Sequence, residues 1–128
     1  MARATRRDRG AAAVEFALVL PLLLLIIFAI VDFGRMLNAK ITINEAAREG
    51  ARAAALVGTA EANARISAVT GGMGGVSASI SGCPSEPNPN ANATVTITYS
   101  FEFITPLSVL AGLGDSTLEA TGVMPCLQ

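Results

Sequence analysis

Few residues in this chain could do chemistry. There is no His, a single Lys (Lys40) and a single Tyr (Tyr99), so the commonest general base, the commonest metal ligand and most nucleophile-activating pairs are missing. The Ser, Asp and Glu residues form no nucleophile–base pattern, which makes an enzyme the weakest of the functional classes. Two features still call for a partner: the pair Cys83 and Cys126, and Glu15, a carboxylate inside an apolar run. With no His and no third Cys, the thiols cannot complete a metal-ligand set, and no metal, other cofactor or small-molecule substrate is expected.

The elements that position these residues begin with a membrane segment. The chain has 128 residues, room for one core, and 52% of them are hydrophobic. Nine basic residues stand against ten acidic ones, a net charge of −1 that argues against nucleic acid as a partner. The charges are segregated, however, with Arg3, Arg6, Arg7 and Arg9 facing only Asp8 in the first ten positions. Residues 11–31, AAAVEFALVLPLLLLIIFAIV, follow with Glu15 as their one charge. At about 1.5 Å per residue they span roughly 31 Å as a helix, close to the hydrocarbon thickness of a bilayer.

A single-pass span is predicted, with the arginines holding the N-terminus in the cytoplasm and Asp32 and everything after it exported to the far side of the membrane. A cleavable secretory signal fits less well, because the run is long and the small-x-small candidate at its end would place Val31 at the cut. A charged side chain at the centre of a span costs about 2.5 to 3.5 kcal/mol on insertion scales. Glu15 therefore either snorkels to the headgroups or meets a cation. Pro21, in mid-span, deletes one helical N–H donor and predicts a kink or local loosening.

Beyond the span the helix is expected to continue to about Val57, with Leu37, Ile41, Ala47, Ala51 and Ala54 on its apolar positions. Thr59 is expected to cap a second helix over residues 60–69. Glu45 with Arg48, and Glu49 with Arg52, are i, i+3 pairs on the solvated face. Gly34 and Gly50 each weaken the helix by about 1 kcal/mol relative to Ala, which points to another backbone packed closely on both. Three alternating segments then read as half-buried strands: Val76 to Ile80, residues 93–103, and the stretch around Leu118 and Ala120. The row Val95, Ile97, Tyr99, Phe101 and Phe103 should pack on the helix. An antiparallel meander brings the ends of the first and third strands, where Cys83 and Cys126 sit, to the same edge. In an oxidising compartment a disulfide is the natural reading, worth roughly 3 to 4 kcal/mol; two free thiols are the alternative. The expected class is thus α+β, a long N-terminal helix packed on a small antiparallel sheet. Its divisions are a leader (1–10), a span (11–31), an amphipathic helical region (32–70) and a sheet region (71–128).

Glu15 is the fifth residue after Gly10 and is followed by Phe16, and in this the chain resembles type IV pilin-like precursors. The resemblance implies cleavage between Gly10 and Ala11 by prepilin peptidase on the cytoplasmic side, and an assembly role for Glu15 and Phe16. The liberated amine of Ala11 would then be available to neutralise Glu15 between neighbouring subunits. More specifically, Arg9 to about Leu56 looks like the TadE-like family, pseudopilins of the tight-adherence (Flp) pilus system. It shares Glu15-Phe16, Pro21, Asp32-Phe33-Gly34 and the run AREGAR at 47–52. This implies a minor pilin-like subunit with other pilin-like subunits and a pilus assembly platform as partners. The competing reading is an uncleaved, membrane-anchored periplasmic scaffold or binding protein.

Overall fold

The computed structural model describes residues 5–86, 88–112 and 114–126, and for residues 5–9 and Leu107 it describes the backbone alone. Part of the basic leader, Pro87 of the polar 84–92 loop, Leu113 and the last two residues lie outside the described residues. Helix α1 covers Thr5–Leu56 and includes Pro21. At 1.5 Å per residue it is about 78 Å long. It therefore begins inside the leader, several residues ahead of Ala11. Helix α2 (Thr59–Val69) follows, then strands β1 (Val76–Ser81) and β2 (Asn92–Phe101), a short helix α3 (Leu107–Ala111) and strand β3 (Ser116–Pro125). The N-cap of α2 is Gly58, one residue ahead of the threonine expected there, and no side chain caps the helix.

The three strands form an antiparallel meander in the order β1-β2-β3. Its register pairs Ile97 with Ala78 on one side and Ala120 on the other, and Val95 with Ile80 and Gly122. These residues share one face, and that face lies on the C-terminal half of α1. The helix meets it with Ile43 and with small residues at Ala39, Ala46, Ala47, Ala51 and Ala54, all buried, so the sheet can approach closely. Of the positions expected from apolar spacing, Ala47, Ala51 and Ala54 are buried, whereas Leu37 and Ile41 are 50% and 65% exposed. They continue an outward stripe instead, from Ile30 through Phe33 to Leu37 and Ile41. Glu45, Arg48, Glu49 and Arg52 are all exposed, and the ion pairs among the described residues are Asp32–Arg35 and Glu61–Arg65.

Gly122 of β3 sits directly on α1. A Cβ there would fall 2.1 Å from the carbonyl oxygen of Ala47, backbone against backbone. Gly50 faces a side chain, with Ile66 Cγ1 2.7 Å from an added Cβ, and this is how α2 tucks against α1. Cys83 and Cys126 are joined by a disulfide across the end of the sheet, with Cα atoms 5.8 Å apart and a sequence separation of 43. The bridge packs with Ala53, Ala54, Ala62 and Ala93 in a small second cluster. Constraining a loop of that length stabilises the helix–sheet fold by about 3 to 4 kcal/mol in the chain-entropy model. Cys126→Ser is thus expected to lower the thermal midpoint of the sheet domain by more than about 10 °C, read by circular dichroism in detergent. An unchanged midpoint would mean that the bridge carries none of the stability.

Candidate functional site

Two regions of α1 hold the residues of interest, and they differ in burial. From Gly10 to Ile27 every residue is exposed, and of residues 10–31 only Phe28 and Ala29 are partly covered. Hydropathy over this part of the helix reaches a mean of 2.9, with none of that window buried, and the helix is long and apolar enough to cross a membrane. Glu15 lies here with no hydrogen-bond or ion-pair partner among the described residues, and Phe16 beside it is 63% exposed. Ala11 and Glu15 are one turn apart on the same helix face. A side chain added at Gly10, or at Gly34, would meet nothing within 4 Å, so the packing of this chain does not demand glycine at either position.

The second region is the junction where α1 leaves its bare half. Asp32 is only 2% exposed, yet its carboxylate is fully engaged. One oxygen accepts the N–H of Ile104 at 3.4 Å and the other accepts the hydroxyl of Thr105. Arg35, one turn on, stands 3.6 Å from the same carboxylate and donates to the carbonyl of Glu102 at 3.4 Å. Its guanidinium lies over the Phe101 ring at 5.3 Å, and Phe101 meets Phe103 edge to face with centroids 5.2 Å apart. β2 stops at Phe101 and not at Phe103, and the backbone N–H of Ile104 just beyond is satisfied by Asp32. Further up the helix Lys40 donates to the carbonyl of Glu119 and ties β3 down.

Residues 10–52 match the family model described as TadE-like protein. The family is structural and pilus-associated. No curated protein and no solved structure matches the chain. The TadE-like segment begins at Gly10 and stops short of α2 and the sheet, so it contains both regions just described: the bare helix with Glu15, and the Asp32–Arg35 junction. Its AREGAR run is the part of α1 that carries the sheet, with Ala47, Gly50 and Ala51 buried while Arg48, Glu49 and Arg52 face out.

The role of Asp32 as a clamp is not apparent from the chain itself, since a carboxylate just past an apolar span reads as a boundary marker. Its partners lie about seventy residues away. One signal was present: no charged residue lies between Glu102 and Asp115, an apolar stretch too short to be a span and unusual for a loop. Among the described residues no group of three or more His, Cys, Asp or Glu comes together as a bound cation would require.

Proposed function

We propose that the chain is a minor pilin-like structural subunit required for assembly of tight-adherence (Flp) pili. In this reading it is inserted in the inner membrane with its N-terminus in the cytoplasm and its sheet domain in the periplasm. Prepilin peptidase matures it between Gly10 and Ala11, and it then joins other pilin-like subunits and the assembly platform through α1.

The observation that carries the reading is Glu15, an ionisable residue without a partner among the described residues, on a stretch of helix exposed from Gly10 to Ile27. Such a group is costly in lipid unless a second charge meets it. Cutting after Gly10 liberates an amine at Ala11, one turn from Glu15, and the same amine on a neighbouring subunit offers the opposite charge. Gly10 supports this from another direction. Glycine there weakens the helix and meets no neighbour, so its smallness serves a contact outside the chain, such as the pocket of a peptidase that must unwind the bond it cuts. The stripe Ile30, Phe33, Leu37, Ile41 adds an apolar seam that runs on past the span, as side-by-side packing of such helices needs.

Mass spectrometry of the protein from cells with active prepilin peptidase tests this, the expected N-terminus being Ala11. A chain that still carries its arginines under those conditions is the uncleaved anchored scaffold, and the pilin-like reading falls.

A further inference from the structure

The connection between β2 and β3 is the part of the molecule that the fold itself does not explain. It does not return across the polar end of the sheet. Held by Asp32 at Ile104 and Thr105, it turns back along α1, and α3 lies against the bare half of that helix. Pro106, Val109 and Leu110 face Pro21, Leu22 and Phe28 across an apolar groove of about 840 Å³. Yet Val109 and Leu110 are 86% and 76% exposed, and Ile104 is 66% exposed. Exposed apolar residues clustered in this way mark a contact surface.

We propose that this connection is a second membrane contact, in which α3 seats in the leaflet on the sheet side of the bilayer, beside the span. The inference rests on reading α1 as membrane-spanning, and three observations carry it further. The first is depth. The residues of α1 across the groove precede Asp32 by four to eleven positions, about 6 to 16 Å towards the centre of the span, which reaches from below the boundary to about the midplane of a bilayer core of about 30 Å. The second is composition, since the connection is free of charge from Phe103 to Gly114 while Glu102 and Asp115 stand at its two ends.

The third is backbone accounting. Irregular chain is excluded from lipid unless its polar groups are satisfied internally. Here the N–H of Leu110 donates to the carbonyl of Pro106, and that of Gly112, in the left-handed conformation that glycine accepts, donates to the carbonyl of Ser108. The hydroxyl of Ser108 donates to the carbonyl of Thr105, and the N–H of Ile104 goes to Asp32. A short apolar helix with a closed C-terminal turn, tethered by a buried carboxylate at the boundary, suits the region between headgroups and acyl chains. With two contacts instead of one, the sheet domain would be held at a set tilt over the bilayer.

The chain contains no Trp, so a single introduced indole reports its own site. The full-length protein carrying Leu110→Trp, or separately Val109→Trp, is reconstituted into vesicles of phosphatidylethanolamine and phosphatidylglycerol with or without brominated acyl chains. Leu18→Trp marks the span and Val57→Trp the far end of α1; both wild-type residues are about three-quarters exposed. The expected result is blue-shifted emission from both α3 variants, quenched by brominated chains as for Leu18→Trp and shielded from acrylamide, with Val57→Trp the reverse. If Leu18→Trp is quenched while the α3 variants behave like Val57→Trp, the second contact is overturned and the span stands. Blue-shifted α3 emission that ignores brominated chains means another copy of the chain covers α3, which overturns the lipid assignment. Failure of bromine to quench Leu18→Trp overturns the span and the inference together.

Discussion

Glu15→Leu is expected to make the protein easier to insert and unable to assemble. Removing a carboxylate from a helix in lipid relieves up to about 2.5 to 3.5 kcal/mol of insertion cost, so the amount of membrane-bound protein should hold or rise. If the carboxylate is a docking group for the amine of Ala11 on a neighbouring subunit, the same change removes the attraction that selects and registers that neighbour, and surface fibres should be lost. The two effects run in opposite directions, which separates a docking role from a general loss of fold. Membrane fractionation reads the first effect, and electron microscopy of the cell surface together with crosslinking between copies reads the second. Normal piliation in the Glu15→Leu strain would leave Glu15 as a snorkelling residue.

The second large effect is expected in the sheet domain. A Cβ at residue 122 would lie 2.1 Å from the oxygen and 2.5 Å from the carbon of the Ala47 carbonyl, and 3.0 Å from the nitrogen of Arg48. All three are backbone atoms in the middle of a helix, so none can rotate away. Relief requires β3 to lift from α1, which would open the core of Ile43, Val95, Ile97 and Ala120. Gly122→Ala should therefore cost about 3 kcal/mol or more, at the upper end of overpacking effects, and Gly122→Val should prevent the sheet from docking. Gly114→Ala, where an added Cβ meets nothing within 4 Å, is the matched control and should stay within about 0.5 kcal/mol of wild type. Chemical unfolding followed by the circular dichroism of the sheet measures both. Equal midpoints for the two alanine variants would mean that α1 and β3 do not pack as described.

Much of this architecture was legible in the sequence because it depends on local pattern. Composition over some twenty residues is enough to mark a span, and alternation over six to ten is enough to mark a strand. The order of three adjacent strands follows from short connections, and with it the meeting of Cys83 and Cys126. The positions of Gly10, Glu15 and Pro21 on the bare half of the helix follow from chain distance alone.

Which face of α1 carries the sheet was a different kind of question. Hydrophobic spacing put Leu37, Ile41, Ala47, Ala51 and Ala54 on one face; the three alanines are buried, but Leu37 and Ile41 point away. Hydrophobicity ranks the larger side chains first, whereas close approach of a sheet to a helix selects the smaller ones. Gly122 reads as a weak point in a strand until Ala47 is brought against it.

Asp32 and the β2–β3 connection show the same limit more sharply. The carboxylate and the groups it holds at Ile104 and Thr105 are remote in the chain, and neither has a motif that names the other. Their meeting is a consequence of β2 running back along α1 toward the membrane end, a direction set by sheet packing. Local periodicity and charge placement, being properties of neighbouring residues, decided the elements and their order. Helix face, the single permitted glycine contact and the clamp over the span are properties of surfaces that exist only once those elements have docked.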